Sequence, residues 1–361
     1  MAIDTKLETI KSGVLGVRNA IKAIDSSLAN GTVDTLGDDI RTLNNRKYIW
    51  KWVNNNGTYE LQKEVNNGTV IGTNKYKDRT DIVAVILPDN IIDTSEYGFS
   101  GCTNLEYINL SNLQKIRRGC FGGSKLCGVV NCPNLNFLEN NAFHNTNISK
   151  VENLGTITGL GGATNGGVST FSQCHNLTSV VLPTTVKTIP NYCFNHDENL
   201  ATINLENITS IGSAAFRDCS SLNLELNLPN LTSMGASCFS GTGITKVLSL
   251  GSITSLGNFS TGTVACFAPC PNLTYVNLPA TLTNIPGYCF VNDSKLETLI
   301  CNATTPPKLY NTGVFSGCTL LKIYVPYSED HSILNAYKTA SNWSNYATKI
   351  FELNEDGSVP A

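Results

Sequence analysis

The chain has 361 residues, of which 41% are hydrophobic and only 15% are charged, against about 25% in an average globular protein. A net charge of −3, without any lysine- or arginine-rich run, excludes the basic surface typical of nucleic-acid-binding proteins. No stretch reaches the roughly 18 consecutive apolar residues of a spanning helix, and the first residues lack the apolar core of a secretion signal. We therefore expect a protein made in the cytoplasm, with no nucleic-acid partner and no membrane insertion.

Residues 1–46 are predicted to form two short helices that attach or oligomerise the chain. Isoleucine at both kinds of core position of a coiled coil favours three strands over two. The same residues also fit an intrachain hairpin with the second helix, residues 35–44, so both arrangements stay open. The alternating three- and four-residue spacing of the predicted seam runs through Leu7, Ile10, Val14, Val17, Ile21, Ile24 and Leu28.

Residues 47–80 are predicted to form a small β-hairpin module. Runs of aromatic and β-branched residues lie on both sides of the pair Asn56-Gly57. An Asn-Gly pair in this setting is the strongest short-range signal for a hairpin. Trp50 and Trp52 fall on one face of the first strand, where we favour a role in the core of the module over a platform for a ligand.

Residues 81–326 carry a repeat of 22 to 28 residues, and we call each copy a coil. The spacings between the phenylalanines that lead the coils run 22, 22, 28, 23 and then 22, 23, 28, 23, so a four-coil block at about 99–193 recurs at about 194–289. When residues 155–194 are paired with residues 251–290 without a gap, 21 of 40 positions are identical. The ten lead positions are Phe99, Phe121, Phe143, Phe171, Phe194, Phe216, Phe239, Phe267, Phe290 and Phe315.

Within one coil, apolar side chains follow the lead phenylalanine at positions +3, +6, +9 and +11, and the last two belong to a short strand. A single coil buries too few side chains to offset the entropy of ordering its backbone, so coils must stack on one another. The sequence therefore predicts a mostly β solenoid of about ten coils. Residues 327–361 are predicted to form a helical cap and tail that cover the apolar end of the solenoid.

The thirteen cysteines fall on the same repeat grid. Most of them precede a lead phenylalanine or follow it by three residues, where other coils place small residues. Because the chain has no Cys-x-x-Cys pair, we expect all thirteen to be small buried hydrophobic residues and not metal ligands. A disulfide between Cys266 and Cys289, which lie in neighbouring coils, stays open.

The two 28-residue coils contain extra residues at 158–169 and 254–265. The first segment is rich in glycine but is followed by the next lead phenylalanine and not by a helix, which argues against a phosphate-binding loop. Insertions of this kind project from one edge of a solenoid and often contact partners. The candidate contact residues are Gly159, Gly161, Thr164 and Asn165 in the first insertion and Asn258, Phe259, Ser260 and Thr261 in the second.

No residue set for catalysis stands out in the sequence. The four histidines fall in predicted turns or in the cap, without a serine or cysteine nucleophile pattern around them. Motifs for zinc, calcium or nucleotide binding are missing as well. We therefore expect a protein that is not an enzyme, with no catalytic residues, no metal and no cofactor.

The coil sequence resembles the BspA-type leucine-rich repeat. The resemblance rests on the phrase Phe-x-x-Cys-x-x-Leu-x-x-Val-x-Leu-Pro at residues 171–183 and 267–279, and on Ile-Pro-x-Tyr-Cys-Phe at residues 189–194 and 285–290. It covers about residues 82–351. The resemblance implies a right-handed leucine-rich repeat solenoid that is used for surface adhesion and not for catalysis. Family members displayed on cells usually carry a secretion signal, which the first residues of this sequence do not show.

The N-terminal helices resemble the openings of phage fibre and other virion proteins, which anchor a distal module. We therefore expect a phage virion protein, such as a head or tail fibre or a capsid decoration. Its coils would bind a glycan or protein on the host surface, and its N-terminal helices would bind other virion proteins and form a homo-oligomer. A virion leaves its host by lysis, which would explain adhesion without a secretion signal. The alternative is a bacterial cell-surface protein for adhesion or protein interaction, built from the same repeat.

Removal of residues 1–45 tests the predicted seam. We expect the truncated chain to stay folded, because the solenoid forms its own core, and to have the mass of one chain, because the contacts between chains would be gone. Light scattering gives the mass, and circular dichroism compares the fold with that of the full chain. A truncated chain that still assembles would contradict the predicted role of the helices.

Overall fold

The computed structural model describes residues 48–161, 170–257 and 266–360. The predicted seam from Leu7 to Leu28 and the predicted helix at residues 35–44 lie outside the described residues. The same holds for six of the candidate contact residues, Thr164, Asn165, Asn258, Phe259, Ser260 and Thr261. Their predicted roles therefore stay predictions.

The predicted hairpin is confirmed. Strands β1 (Tyr48–Asn55) and β2 (Thr58–Val65) pair antiparallel around Asn56 and Gly57, which have φ angles of 51° and 93°. Two positive φ angles in a two-residue turn match the right-handed twist of the flanking strands. Trp52 is buried in the core, as we expected from the sequence, whereas Trp50 is only half-buried.

The described part of the chain contains many short strands, one α-helix and one 3-10 helix. After the hairpin the strands are β3 (Ile82–Ile86), β4 (Tyr107–Ile108), β5 (Lys115–Ile116), β6 (Cys127–Asn131), β7 (Phe137–Leu138), β8 (Asn147–Asn153), β9 (Ser179–Val180), β10 (Thr188–Ile189), β11 (Thr202–Ile203), β12 (Ser210–Ile211), β13 (Glu225–Asn227), β14 (Ser233–Met234), β15 (Lys246–Ser249), β16 (Tyr275–Leu278), β17 (Asn284–Ile285), β18 (Thr298–Cys301), β19 (Lys308–Leu309), β20 (Lys322–Val325) and β21 (Ile350–Glu352). Helix α1 covers Ser332–Thr339, and the 3-10 helix covers Trp343–Lys349.

These strands form two parallel ladders along the solenoid, which confirms the predicted fold class. The first strand after each lead phenylalanine pairs in the orders β6-β8-β9-β11 and β13-β15-β16-β18-β20, and β21 of the cap continues the second ladder. The second strands pair in the orders β5-β7, β10-β12-β14 and β17-β19. The hairpin joins the start of the solenoid, because β1 pairs antiparallel with β3, which in turn pairs parallel with β4.

A continuous stack of aromatic rings occupies the middle of the solenoid. The rings of Tyr76 and of the ten lead phenylalanines follow one another at centroid distances of 5.1 to 5.8 Å. Their planes lie within 25° of parallel. Tyr76 leads a coil that the phenylalanine pattern did not reveal, so the stack begins before residue 81. At the other end, Trp343 and Tyr346 of the cap close the stack on Phe315.

The turn around each lead ring has a recurring backbone conformation. In the coil of Phe194, the residues two positions before and after the ring, Tyr192 and His196, have φ angles of 57° and 60°. The backbone N–H groups of Tyr192, Phe194 and His196 donate to carbonyl oxygens of the next coil. Because the N–H groups between them donate within the turn, the backbone donors of the turn are satisfied.

The same positive φ recurs along the solenoid. Only Gly, or small polar residues such as Asn and Asp, adopt this conformation at low cost. The residues concerned are Asn74, Tyr97, Gly119, Asn141, Tyr192, Ala214, Ser237 and Tyr288 before the ring, and Asp78, Gly101, Gly123, Asn145, Gln173, His196, Asp218, Gly241, Asn292 and Gly317 after it.

The expectation that all thirteen cysteines are buried is wrong for Cys127. Twelve of them are buried, and all thirteen are free thiols in the structure. Cys127 is exposed because its neighbour Leu126 takes the inward position, next to an irregular register at Gly128. The sulfur atoms of Cys238 and Cys266 lie 3.1 Å apart in neighbouring coils.

The C-terminal segment covers the end of the solenoid, as predicted. Helix α1 and the 3-10 helix place Tyr337 and Trp343 over the last coils, where both are fully buried. The indole N–H of Trp343 donates to the carbonyl oxygen of Pro307 at 2.7 Å. The hydroxyl of Tyr337 donates to the carbonyl oxygen of Ala303, also at 2.7 Å. These bonds satisfy the polar atoms of two large side chains that close the apolar end.

Truncation of one lead ring tests the stack. We expect Phe194→Ala to lower the free energy of unfolding by about 3–5 kcal/mol, because it leaves a ring-sized cavity between two neighbours. Val181→Ala serves as the control, since Val181 is 53% exposed and should change stability by about 0.5 kcal/mol or less. Guanidinium titrations followed by circular dichroism measure both, and equal effects would contradict a central role for the stack.

Candidate functional site

Two rows of side chains point away from the core on the six-stranded sheet that ends with β21, and we call this surface the outer face. Alternate residues of each strand point to opposite sides of a sheet, so the register fixes which residues belong to it. Aligned strand pairs form a first row of Glu225, Lys246, Tyr275, Thr298 and Lys322. The second row contains Asn277, Ile300, Tyr324 and Phe351, together with Leu248 of β15.

The outer face differs from the surface formed by the equivalent coils 96 residues earlier in the chain. At positions 96 residues apart, Glu152 becomes Leu248, Ser179 becomes Tyr275 and Asn204 becomes Ile300. The inward residues between them stay apolar in both blocks. One position changes in the opposite sense, because exposed Val181 becomes Asn277. The later coils have therefore gained apolar side chains at outward positions while their core is unchanged in character.

Part of this apolar surface is covered by the chain itself. Ile300, Tyr324 and Leu353 form a small buried cluster outside the main core, and Tyr275 packs against it. The ring of Phe351 lies 5.9 Å from that of Tyr324. Burial against these neighbours raises the pKa of the Tyr275 hydroxyl. The last strand and the segment after it thus cover one side of the outer face.

The uncovered side of the outer face contains a depression of about 290 Å³, which lies across β18 and β20. Leu248 and Phe351 remain 36% and 42% exposed elsewhere on the face. The depression offers a carboxylate, an ammonium group and a hydroxyl beside apolar surface, so both hydrogen-bond donors and acceptors are available to a ligand. Its lining residues are Glu297, Thr298, Leu320, Lys322 and Tyr324.

The two described glycines of the first insertion, Gly159 and Gly161, are not part of the outer face as defined. Gly161 has a φ of 91°, and a Cβ there would lie 2.8 Å from the backbone nitrogen of Asn140. Gly161 is therefore required by the backbone of the coil. Because the other six candidates are outside the described residues, contact with a partner through the insertions stays a prediction.

The most strongly perturbed carboxyl groups lie in the core and not on the surface. Asp197 and Asp293 are fully buried, and in each one carboxylate oxygen accepts the backbone N–H of Cys174 or Cys270, at 2.8 and 2.6 Å. The other oxygen is buried without a hydrogen-bond partner. Burial raises the pKa of Asp293 to about 7 and the pKa of Asp197 well above its ordinary value.

These two carboxyl groups are part of a polar column in the core. They lie three residues after a lead phenylalanine, where neighbouring coils have cysteine, serine or threonine. A shifted carboxyl pKa in a cleft would suggest acid–base catalysis. Asp197 and Asp293 have no exposed surface and do not line the depression, so their role is structural. In the sequence, these two residues could have been recognised as acids at a position where the other coils have a small neutral residue.

Neither metal binding nor a membrane span is indicated by the described residues. Within residues 48–161, 170–257 and 266–360, no three histidine, cysteine or acidic side chains are placed to hold a metal ion. The two helices in these ranges lack the length and the hydrophobicity needed to cross a bilayer.

Comparison with known proteins identifies the repeat. The model of the BspA type Leucine rich repeat region matches residues 60–165, 162–262 and 249–344. Among solved structures, a leucine-rich repeat protein from Bacteroides ovatus ATCC 8483 is similar with a TM-score of 0.55 and 21% identity, covering 78% of this chain and 81% of that chain. This likeness shows a common fold. No curated protein matches the sequence.

Two further solved structures are more distantly similar. A leucine rich cell surface protein from Faecalibacterium prausnitzii A2-165 has a TM-score of 0.31 and 19% identity, covering 81% of this chain and 96% of that chain. The pneumococcal vaccine antigen PcpA has a TM-score of 0.44 and 18% identity, covering 70% of this chain and 65% of that chain.

The buried carboxyl of Asp293 should make stability depend on pH. In the folded chain it keeps its proton up to about pH 7, whereas in the unfolded chain it ionises near pH 3.8. The carboxyl of Asp293 therefore contributes most to the free energy of unfolding below about pH 4. About 4 kcal/mol of this free energy is lost as the pH rises to about 7. The neighbouring thiols, Cys270 and Cys318, stay neutral in this range because burial raises their pKa.

Asp293→Asn isolates this effect, since asparagine keeps the oxygen that accepts the N–H of Cys270 and has no charge. We expect the variant to be more stable than the parent at pH 8 and to match it near pH 4. Denaturant titrations at several pH values measure the difference. A difference between the two proteins that does not vary with pH would contradict the assignment of a buried, protonated carboxyl.

Proposed function

The chain belongs to the BspA-type leucine-rich repeat family, and from this we propose that it is a non-enzymatic adhesion protein that binds a surface protein or glycan through the outer face. Family membership favours the second function considered from the sequence, a bacterial cell-surface protein for adhesion or interaction, over a phage virion protein. The virion interpretation rests on residues 1–46, which are outside the described residues, and no comparison supports it. The oligomer and its attachment to other virion proteins remain predictions, which the truncation tests.

The observation that carries the proposal is the apolar content of the outer face. The coils 96 residues earlier fold with Glu152, Ser179 and Asn204 at these positions, so the solenoid does not require apolar residues there. Exposed apolar residues that folding does not require are typical of contact surfaces. Leu248, Phe351 and Leu320, at 36%, 42% and 56% exposure, remain open to a partner.

The chemistry of the outer face favours binding over catalysis. The depression has a single carboxylate, that of Glu297, whereas acid–base catalysis by carboxyl groups commonly uses a pair with different pKa values. The two carboxyl groups with strongly raised pKa values, Asp197 and Asp293, are enclosed in the core. A surface that holds a partner without transforming it needs only complementary shape and polar groups.

A cell-binding experiment with reciprocal variants tests the proposal. Leu248→Glu gives the second block the residue of the first, and Glu152→Leu does the reverse on the other surface. We expect labelled protein to bind saturably to at least one member of a panel of bacterial and epithelial cells. Leu248→Glu should weaken this binding about tenfold or more, because a charge would be buried in an apolar contact. Flow cytometry with increasing protein concentration measures the affinity.

Glu152→Leu serves as the matched control, and we expect its binding to equal that of the parent. Thermal melts establish that both variants fold. The proposal fails if no cell type binds the parent saturably, or if the two variants change binding to the same extent.

A further inference from the structure

The depression on the outer face has the dimensions of a site for one small ring. Its volume of about 290 Å³ is at the lower end of the ~300–1,000 Å³ found for small-molecule pockets. It spans two neighbouring strands, β18 and β20, which in a sheet lie about 4.8 Å apart. A peptide or a nucleic acid would need a longer groove, so the shape favours a compact ligand.

The polar groups of the depression favour a ligand that both donates and accepts hydrogen bonds. Glu297 and Lys322 are neighbours in adjacent coils, since the backbone N–H of Lys322 donates to the carbonyl oxygen of Glu297 at 2.8 Å. The carboxylate of Glu297 only accepts, the ammonium group of Lys322 only donates, and the hydroxyl of Thr298 does both. One negative and one positive charge leave the site without net charge, which favours a neutral ligand over an acidic one.

The apolar lining is placed beside these polar groups. Leu320, which is 56% exposed, and Tyr324, whose ring lies 5.9 Å from that of Phe351, both line the depression. Sugars combine many hydroxyl groups with apolar C–H surfaces, which pack on aliphatic and aromatic side chains. Few other neutral ligands of this size require both kinds of surface.

The coil 96 residues earlier lacks the carboxylate of this site. At the position equivalent to Glu297 it has Ala201, whereas Thr202 matches Thr298. The acidic group of the depression is thus absent from the earlier copy of the same coil. A solvated surface of the solenoid does not need it, which points to a ligand.

We propose that this depression binds one terminal pyranose unit of a neutral glycan. The proposal rests on the proposed function, because it assigns the ligand class of the outer face. Glu297 and Lys322 hold hydroxyl groups of the sugar, Thr298 orients it, and Leu320 with Tyr324 contacts its C–H surface. A single ring held by a few hydrogen bonds gives weak binding, with a dissociation constant of about 1 mM. Adhesion then depends on many such contacts at once.

Saturation-transfer NMR on the full chain tests the proposal directly. The probes are the methyl glycosides of glucose, galactose, mannose, N-acetylglucosamine and N-acetylgalactosamine. We expect saturation transfer to the ring protons of at least one of them. Glu297→Ala and Lys322→Met should each weaken its binding about tenfold, since each removes a charge-assisted hydrogen bond. Both side chains are exposed, so the fold should be retained, as thermal melts will show.

Glu225→Ala is the matched control, because Glu225 lies on the same face but pairs with Lys246 at 2.8 Å, away from the depression. We expect it to leave glycoside binding unchanged. The proposal is overturned if none of the glycosides binds, or if the control weakens binding as much as Glu297→Ala does. Cell binding that depends on Leu248 while no glycoside binds would preserve the proposed function and reject the sugar site.

Discussion

The stack of lead rings is the interaction on which the rest of the structure depends. Each ring from Phe99 to Phe290 packs between two others at 5.1 to 5.8 Å, so that no coil has a complete core until its neighbours are in place. The positive φ angles around the ring direct the backbone N–H groups of the turn to the next coil. Side-chain stacking and backbone hydrogen bonding therefore impose the same spacing between coils. Both ends need covers, which are the hairpin with Tyr76 at one end and Trp343 with Tyr346 at the other.

The period of the phenylalanines was sufficient to predict the solenoid. The features that it failed to predict concern single residues. Tyr76 was missed because a search for phenylalanine does not find a tyrosine at the first lead position. The prediction that Cys127 is buried was wrong because an irregular register beside Gly128 shifts the inward position to Leu126. The positive φ positions are filled by glycine, asparagine, histidine and even tyrosine, so no single residue type marks them in the sequence.

The outer face could not be predicted from the sequence, because it depends on strand register. A shift of one residue exchanges the inward and outward sides of a strand. Without the pairing of Tyr275 with Thr298 and of Thr298 with Lys322, these residues are scattered along the sequence and show no common surface. The insertions stand out in the sequence by their length. The change from Ser179 to Tyr275 is visible in the same comparison of repeats, but the sequence does not show which other outward residues it joins.

The duplication explains how a repeat protein can acquire such a surface at little cost to its fold. Asp197 and Asp293 occupy equivalent positions and accept hydrogen bonds from equivalent N–H groups, so coils 96 residues apart keep even the unusual features of the core. Outward positions are under no such constraint, because their side chains do not contact the ring stack. The last coils lie next to the cap, whose last strand supplies Phe351 and whose tail supplies Leu353 to the outer face. The depression lies between the last two coils of the solenoid, which follow the second block, so outward positions could change there while the core kept Asp293 and its hydrogen bond.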